Sequence, residues 1–319
     1  MKNFMKIVMA GVTTTLLAGS AAYAEDWRPD QPVRMIVAFA PGGPVDLVGR
    51  EIAQRLGEFL GQPVIVENMG GAGGIIGAQH VASSDPDGQT IFFAAAGNVV
   101  IRPLMDGNTE IAKQLRSVGL VSKSPHAMVV NNDLEVQNVA ELIAYAKEHP
   151  GELNFGSAGT GAAAHLGFEM FKLATGVEIE HIPYKGSAPA IVDLAAGAVD
   201  MSLSSIPSLT AMLEAGKIRM IALTDEAPSD IGVPLVSDTV EGYAYSTWYG
   251  VMVPTATDDS VVAALNEGLA VAVSDEALRE RMAGMGAKLV HSTPEEMEAF
   301  FNVEVEKWDK VIEAAGLRK

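Results

Sequence analysis

Two glycine-rich segments hold the residues best suited to bind an anion, because each lies between a predicted strand and a predicted helix. The first is Pro41-Gly-Gly-Pro44 and the second is Ser157-Ala-Gly-Thr-Gly161. Main-chain N–H groups in the first turn of a helix carry partial positive charge and lack partners, which suits a carboxylate or a phosphate. The alternative interpretation is that both segments are ordinary turns. We expect ligand contacts from Pro41, Gly42, Gly43, Pro44, Ser157, Ala158, Gly159, Thr160 and Gly161.

Four further polar residues lie near these segments or at the ends of neighbouring strands, and we count them as candidate ligand-binding residues. Asp46 lies just inside the first helix, where it either caps N–H groups or accepts from an amine or hydroxyl group of a ligand. Asn98 follows the third predicted strand, and His165 lies one turn into the helix after the second segment. Lys185 follows a strand end and is either a counter-charge for a ligand or a solvated lysine.

The sequence lacks the signatures of catalysis. Gly156–Gly161 imitates a phosphate-binding P-loop, but Ala162-Ala163 stands where Lys-Ser/Thr must be. Gly71–Gly77 has a G-x-G-x-x-x-G spacing, one residue off the dinucleotide fingerprint. There is no G-x-S-x-G elbow, and the six histidines form no H-E-x-x-H pair. We therefore predict a protein that is not an enzyme, with no catalytic residue, no metal site and no cofactor.

Composition excludes several other classes of protein. The formal net charge is −18 and there is no cysteine among the 319 residues. An acidic chain is a poor partner for nucleic acid or for an anionic membrane surface, since both require a basic face. The lack of cysteine removes disulfides and thiolate chemistry. A chain of this length has room for about two domains, each with its own core.

The first 24 residues have the pattern of a secretory signal peptide. Lys2 and Lys6 precede an apolar run over residues 7–19, and Ala22-Tyr-Ala24 is an A-x-A cleavage site. The run is too short for a spanning helix of about 20 residues. We expect cleavage after Ala24 and export of a soluble protein to the periplasm.

Strands and helices alternate along the rest of the chain, which predicts parallel α/β sheets covered by helices. The predicted strands cover residues 33–40, 64–67, 90–96, 127–131, 153–156, 179–183, 201–204, 218–223 and 249–253. Two extended crossings, near Gly119–Ala127 and Tyr245–Tyr249, divide the chain into two α/β lobes. We expect residues 25–123 plus 247–319 in lobe 1 and residues 124–246 in lobe 2. The ligand site is expected in the cleft between the lobes, at the hinge, and the protein is expected to be a monomer.

The sequence resembles the Bug (TctC-like) family, the extracytoplasmic solute-binding receptors of tripartite tricarboxylate transporters. The resemblance covers essentially the whole mature chain, in order. It is carried by Trp27–Gly43 (WRPDQPVRMIVAFAPGG), Gly61–Asn68 (GQPVIVEN), Gly71–Gly74 (GAGG), Leu153–Gly161 (LNFGSAGTG) with His165, His181–Ala190 (HIPYKGSAPA), Ala215–Arg219 (AGKIR) and Ser246–Gly250 (STWYG).

The resemblance implies a two-lobed type II periplasmic binding fold, with a ligand carboxylate held between the two glycine-rich loops. It implies a small organic carboxylate as ligand and a membrane partner with one large and one small integral subunit. Ligand identity does not transfer, because this chain departs from the family pattern at Ala40, at Pro44-Val45, over Arg102–Leu115 and over Met201–Ser205. Ser205, one of two serines where many members carry Asp or Asn, joins the candidate residues.

Two other functions stay open at this stage. A sensory co-receptor that presents its bound carboxylate to a membrane signalling protein would have the same ligand site. A periplasmic hydrolase or isomerase is disfavoured, because the nucleophile motifs are missing.

Overall fold

The computed structural model describes residues 27–228 and 231–319. The predicted signal peptide lies outside the described residues. Within the described ranges, no helix is long and apolar enough to cross a membrane.

Ten strands and ten helices make up the described structure, together with short 3-10 turns and one π-helical turn at Gly97–Ile101. The strands are β1 Val33–Val37, β2 Val64–Asn68, β3 Thr90–Ala95, β4 Leu115–Asn131, β5 Asn154–Ser157, β6 Glu180–Pro183, β7 Met201–Ser205, β8 Ile218–Leu223, β9 Ser246–Pro254 and β10 Lys288–Leu289. The helices are α1 Pro44–Leu60, α2 Ile75–Ala82, α3 Arg102–Met105, α4 Val139–Glu148, α5 Ala163–Thr175, α6 Ser187–Ala195, α7 Ile206–Glu214, α8 Asp259–Ser274, α9 Glu276–Gly284 and α10 Pro294–Ala314.

The strands form two sheets that share β4. One sheet has the order β2-β1-β3-β9-β4-β10, and the other has the order β6-β5-β7-β4-β8. In each sheet three parallel strands come first and an antiparallel strand follows. Strand β4 changes partners between Pro125, which pairs with Ser246 of β9, and His126, which pairs with Ser205 of β7. The exact lobe boundaries expected from the sequence stay a prediction.

The structure differs from the sequence-based elements along β4 and at three elements that were not predicted, α3, α7 and β10. The segment near Gly119–Ala127, expected as an extended crossing, is the middle of the 17-residue strand β4. Helix α7 was missed, although Ser205 before it and Pro207 in its first turn are typical start signals. Elsewhere the predicted strands and helices are confirmed with ends shifted by a few residues.

Local sequence explains why the helices form. Helix α1 buries Val48, Ile52, Leu56 and other residues at helical spacing, and it ends at Gly61, whose φ of 74° is left-handed. Helix α10 starts with a capping box in which Thr293 and Glu296 exchange side-chain and backbone hydrogen bonds. These helices cover the faces of the sheets. The loops at the strand ends stay uncovered, and the cleft lies between them.

A buried carboxylate joins helix α10 to strand β9. Glu304 is 3 % exposed, and its Oε2 accepts hydrogen bonds of 2.9 Å from the indole nitrogens of Trp248 and of Trp308. Its other oxygen pairs with the Lys307 ammonium group. Because a buried charge needs partners on all sides, Glu304 ties the second crossing strand to the C-terminal helix.

We expect Glu304→Ala to lower the free energy of unfolding by about 3 kcal/mol, because it leaves two indole N–H groups and one ammonium group without their shared acceptor. Denaturant unfolding followed by tryptophan fluorescence measures this loss. Glu306→Ala, at an exposed position of the same helix, is the matched control and should cost less than about 0.5 kcal/mol. Equal losses in the two variants would contradict the role given to Glu304.

Candidate functional site

Two neighbouring cavities lie where the two sheets meet. The smaller has a volume of about 380 Å³ and the larger about 620 Å³. Both are lined by Ala162 and Ala163 from the start of α5 and by Thr247 and Tyr249 from β9. Ser124 and His126, on either side of the point where β4 changes partners, line the larger cavity. The cavities therefore form one cleft at the junction of the sheets.

Four helices point their N-terminal ends at this cleft. The larger cavity is lined by Pro44 of α1, Ala164 of α5, Ser187 of α6 and Ser208 of α7, each in the first turn of its helix. None of the four has a side-chain cap hydrogen bond at its N-cap residue. By contrast, α4, α9 and α10 are capped by Asn138, Asp275 and Thr293. The free N–H groups and helix dipoles make the cleft attractive to an anion.

The cleft walls carry little charge of their own. No aspartate or glutamate lines either cavity among the described residues, and Arg102 in the smaller cavity is the only lysine or arginine that does. His126 adds no charge near neutral pH, because burial lowers the pKa of its imidazole to about 4. The remaining polar groups are hydroxyls, chiefly of the serines in the larger cavity.

Arg102 is held with part of its guanidinium group free. Its Nε donates a 2.5 Å hydrogen bond to Asp106, and Asp106 also pairs with Lys319 at 3.0 Å. Gly73 lies against the arginine stem, where a Cβ atom would come within 2.7 Å of Cγ. Arg102 is not among the residues expected from the sequence; the only signal for it is a lone cation soon after strand β3, in a segment that departs from the family pattern.

Aromatic and apolar side chains give the smaller cavity its shape. Phe39, Tyr245, Tyr249 and Trp308 line it, together with Val45, Ile101 and Met105. Burial raises the pKa of Tyr249 to about 12, so its hydroxyl group stays protonated. This cavity therefore suits the apolar part of a ligand, beside one cation.

Asp46 holds the conformation of the first glycine-rich loop, Pro41–Pro44, through a hydrogen bond to its backbone. Its Oδ2 accepts a 2.8 Å hydrogen bond from Gly42 N–H, and its two oxygens also accept from Arg50 and from Asn68. The hydrogen bond from Arg50 lowers the pKa of Asp46 to about 2, outweighing burial, which raises it. The partners of Asp46 are all groups of the protein, and the only main-chain N–H among them belongs to Gly42 in the loop before α1, so Asp46 fixes the loop and leaves the first-turn N–H groups of the helix without a side-chain cap.

The second glycine-rich loop, Ser157–Gly161, is held in shape by hydrogen bonds within the loop and to two histidines. Ser157 is buried, and its hydroxyl lies 2.6 Å from His181 Nε2 and 3.1 Å from Gly159 N. Gly161 N–H donates to His165 Nδ1 at 3.0 Å. Ala158, Thr160 and Gly161 therefore line the cleft, while the side chains that hold them do not.

The candidate residues from the sequence thus divide into two groups. Pro44, Ala158, Thr160, Gly161 and Ser205 line the cavities. Nine line neither cavity: Pro41, Gly42, Gly43, Asp46, Asn98, Ser157, Gly159, His165 and Lys185. Asn98 is fully buried and accepts from Ala95 N–H, and Lys185 is exposed on its loop. Ligand contact by any of these residues stays a prediction.

Two mixed sheets, each with three parallel strands and joined by crossing strands with a cleft between them, define a two-lobed α/β binding protein of the type II periplasmic class. The match to known proteins gives the family: residues 48–317 match the Tripartite tricarboxylate transporter family receptor, and the chain belongs to this family. The expected resemblance and fold class are confirmed, as is the prediction that the protein is not an enzyme, since the family consists of solute-binding receptors.

Relatives cover nearly the whole chain. Protein BugT of Bordetella pertussis is 33 % identical over 322 residues, covering 98 % of each chain. The R. palustris protein Rpa4515, solved with adipate, is 33 % identical with a TM-score of 0.72 and covers 90 % of this chain and 98 % of its own. MatC from Rhodopseudomonas palustris, solved with bound malate, is 26 % identical with a TM-score of 0.68. The match covers 89 % of this chain and 99 % of the MatC chain.

We expect Asp46→Asn to destabilise the protein by about 2 kcal/mol at pH 7, because the folded state holds the carboxyl pKa at about 2 while the unfolded chain restores it to about 4. The unfolded chain takes up the proton first, so the stabilisation is lost as the pH falls from about 4 towards 2. Denaturant unfolding at pH 7 and at successively lower pH measures the free energy of unfolding of both proteins.

The difference between wild type and Asp46→Asn should narrow below about pH 4. Asp85→Asn, at an exposed turn position, is the control and should differ little from wild type at any pH. A gap between wild type and Asp46→Asn that is the same at every pH would contradict this account.

Proposed function

We propose that this receptor captures a small organic carboxylate in the cleft and delivers it to the large and small membrane subunits of a tripartite tricarboxylate transporter. The observation that carries the proposal is the convergence of four helix N-termini without side-chain caps on cavities that no acidic side chain of the described residues lines. A carboxylate exchanges its hydration shell for donors that are already fixed in place, so little is lost in ordering them.

Main-chain groups and hydroxyls supply most of the contacts to the ligand. The loop residues Ala158, Thr160 and Gly161 and the serines at the starts of α6 and α7 line the cavity walls. Ser157 contributes through the shape of its loop, because its hydroxyl is already bonded to His181 and Gly159. In this arrangement the main-chain N–H groups supply most of the affinity for the carboxylate, and the side chains that line the cavities select which ligand fits.

Arg102 favours a ligand with two acidic groups. One carboxylate accepts from the helix N-termini and the other pairs with the free nitrogens of the guanidinium group, while the apolar walls of the smaller cavity surround the carbon chain. Adipate and malate, the ligands of two solved relatives, both carry two carboxylates. Dicarboxylates are therefore the first compounds to test.

Export and closure complete the proposed cycle. The signal peptide is removed after Ala24, and the mature monomer, residues 25–319, binds its ligand in the periplasm. The two lobes, residues 25–123 plus 247–319 and residues 124–246, close around the ligand by bending near Pro125 and Tyr245, and the closed form docks on the membrane subunits.

We expect Ala162→Asp to abolish carboxylate binding, with affinity lowered more than about 100-fold, because the new carboxylate takes the first-turn N–H groups of α5 and repels the ligand. Ala162 lies in the wall of both cavities. Calorimetric titration of mature protein, unfolded and refolded to remove any carried ligand, measures the change, with adipate and malate as probes.

Ala162→Asn is the matched control, because a neutral amide of the same size fills the same donors without repulsion. It should weaken binding less than Asp does, and neither variant should lower thermal stability. Unchanged affinity in Ala162→Asp would remove the start of α5 from the site. Failure of wild type to bind any compound in a panel of mono-, di- and tricarboxylates would contradict the proposed function.

We expect Arg102→Gln to weaken the binding of adipate by about tenfold or more and the binding of hexanoate, a monoacid, by much less. The reason is that only the diacid has a second carboxylate to pair with the guanidinium group. The ratio of the two affinities, taken by calorimetry on the same preparation, cancels general effects on the fold. Arg102→Lys should preserve part of the preference for the diacid. An unchanged ratio in Arg102→Gln would show that the second acidic group binds elsewhere.

A further inference from the structure

Two histidines lie stacked directly behind the second glycine-rich loop. The rings of His165 on α5 and His181 on β6 have centroids 3.8 Å apart and planes within 16°. Phe155 of β5 stacks on His181 at 4.8 Å, and Phe168 stacks on Phe155. The pair therefore lies in a small aromatic cluster between helix α5 and strands β5 and β6, and neither histidine lines the two cavities.

Each ring holds a different end of the loop over residues 157–161. His181 Nε2 lies 2.6 Å from the Ser157 hydroxyl, which in turn accepts from Gly159 N–H. His165 Nδ1 accepts from Gly161 N–H at 3.0 Å. Gly159 and Gly161 have φ of 131° and 76°, which other residues rarely adopt. The loop thus keeps an unusual backbone shape through bonds to two imidazoles.

This shape decides where the cleft wall lies. Thr160 and Gly161 line the smaller cavity and Ala158 lines the larger one, whereas neither imidazole lines either of these two cavities. A change in the bonds of the histidines would therefore move the wall of the site without touching the ligand directly.

We propose that His165 and His181 are positioning residues that fix the loop in its ligand-receiving shape, and that His165 does so only while its ring is uncharged. The effect on the ligand rests on the proposed function, but the state of the rings and of the loop can be measured without any ligand.

The requirement for a neutral His165 follows from the direction of one hydrogen bond. Gly161 N–H is a donor, so His165 Nδ1 must carry no hydrogen, and the hydrogen of the neutral ring sits on Nε2. Protonation of His165 would place a hydrogen on Nδ1, facing the N–H group of Gly161. Two donors would then face each other and the hydrogen bond would break. With the rings stacked at 3.8 Å, a charge on one also disfavours a charge on the other.

The charged groups that act on the pair are Glu169 and Lys172. Glu169 Oε1 is 3.7 Å from His165 Nε2 and favours a charged ring, but Lys172, 2.9 Å from the same carboxylate, opposes it. Burial is the largest influence, and it lowers the pKa of each imidazole to about 4. The acid form of the pair is thus rare near neutral pH and grows as the pH falls towards 4.

The first test uses ligand-free mature protein with ¹⁵N-labelled histidine. We expect the nitrogen shifts of His165 to show the neutral Nε2–H form from pH 7 down to about pH 5, with protonation at lower pH. The backbone amide of Gly161 should shift over the same pH range, and in His165→Asn, whose amide oxygen replaces Nδ1 as acceptor, that shift should be absent. A charged or Nδ1–H ring at pH 7, or the same Gly161 titration in His165→Asn, would overturn the proposal.

The second test measures adipate binding by calorimetry in four variants. His165→Leu and His181→Leu should weaken binding by about tenfold, the effect of one lost hydrogen bond that shapes the site. His165→Asn and His181→Gln, which keep a hydrogen-bonding atom near the ring nitrogen that is used, should stay within about threefold of wild type. If the conservative variants were as weak as the leucine variants, or if the leucine variants bound normally, the positioning role would be refuted. If wild type does not bind adipate, the proposed function is in question while the imidazole measurement still decides this proposal.

Discussion

The structure depends on the change of partners along strand β4. Its first part pairs with β9 and its last part with β7 and β8, so a single strand belongs to both sheets. Ser124 and His126, which flank the change, line the larger cavity, and Tyr245 and Ser246 at the second crossing line the smaller one. The position of the cleft is therefore set by strand pairing, and the loops only complete it.

Electrostatic attraction in this protein is local. The sequence carries 40 acidic and 22 basic residues, yet no acidic side chain of the described residues lines the cleft. At physiological ionic strength the Debye length is about 8 Å, so distant surface carboxylates act weakly on a bound anion. The helix N-termini, by contrast, touch the cavity directly, and their effect is confined to the first turn. An acidic receptor can thus present an anion site without a basic surface.

Most of the fold could be predicted from the sequence, because it follows from local signals, and five of the fourteen candidate residues line the cavities. Apolar runs, glycine stops and the capping box at Thr293 predicted most strands and helices. The first half of β4 was missed because Gly119 and Pro125 suggest an irregular segment; the structure accommodates them where the register shifts and where β4 changes partners. Arg102 was missed because it lines a cavity together with residues far away in the sequence, such as Thr160 and Tyr245, and no local pattern shows that proximity.

The polar candidates illustrate a general limit of reading sites from residue types. Ser157, His165 and Asp46 were chosen because hydroxyl, imidazole and carboxylate groups commonly bind ligands, and the structure gives each of them protein partners instead. Their nearest main-chain neighbours, not their own side chains, reach the walls. In a site built from backbone donors, polar side chains beside the loop serve to hold its shape, because glycines in left-handed conformations cannot hold it themselves. The sequence therefore predicts a loop beside the cleft, whereas only the structure shows which of its residues reach the cavity walls.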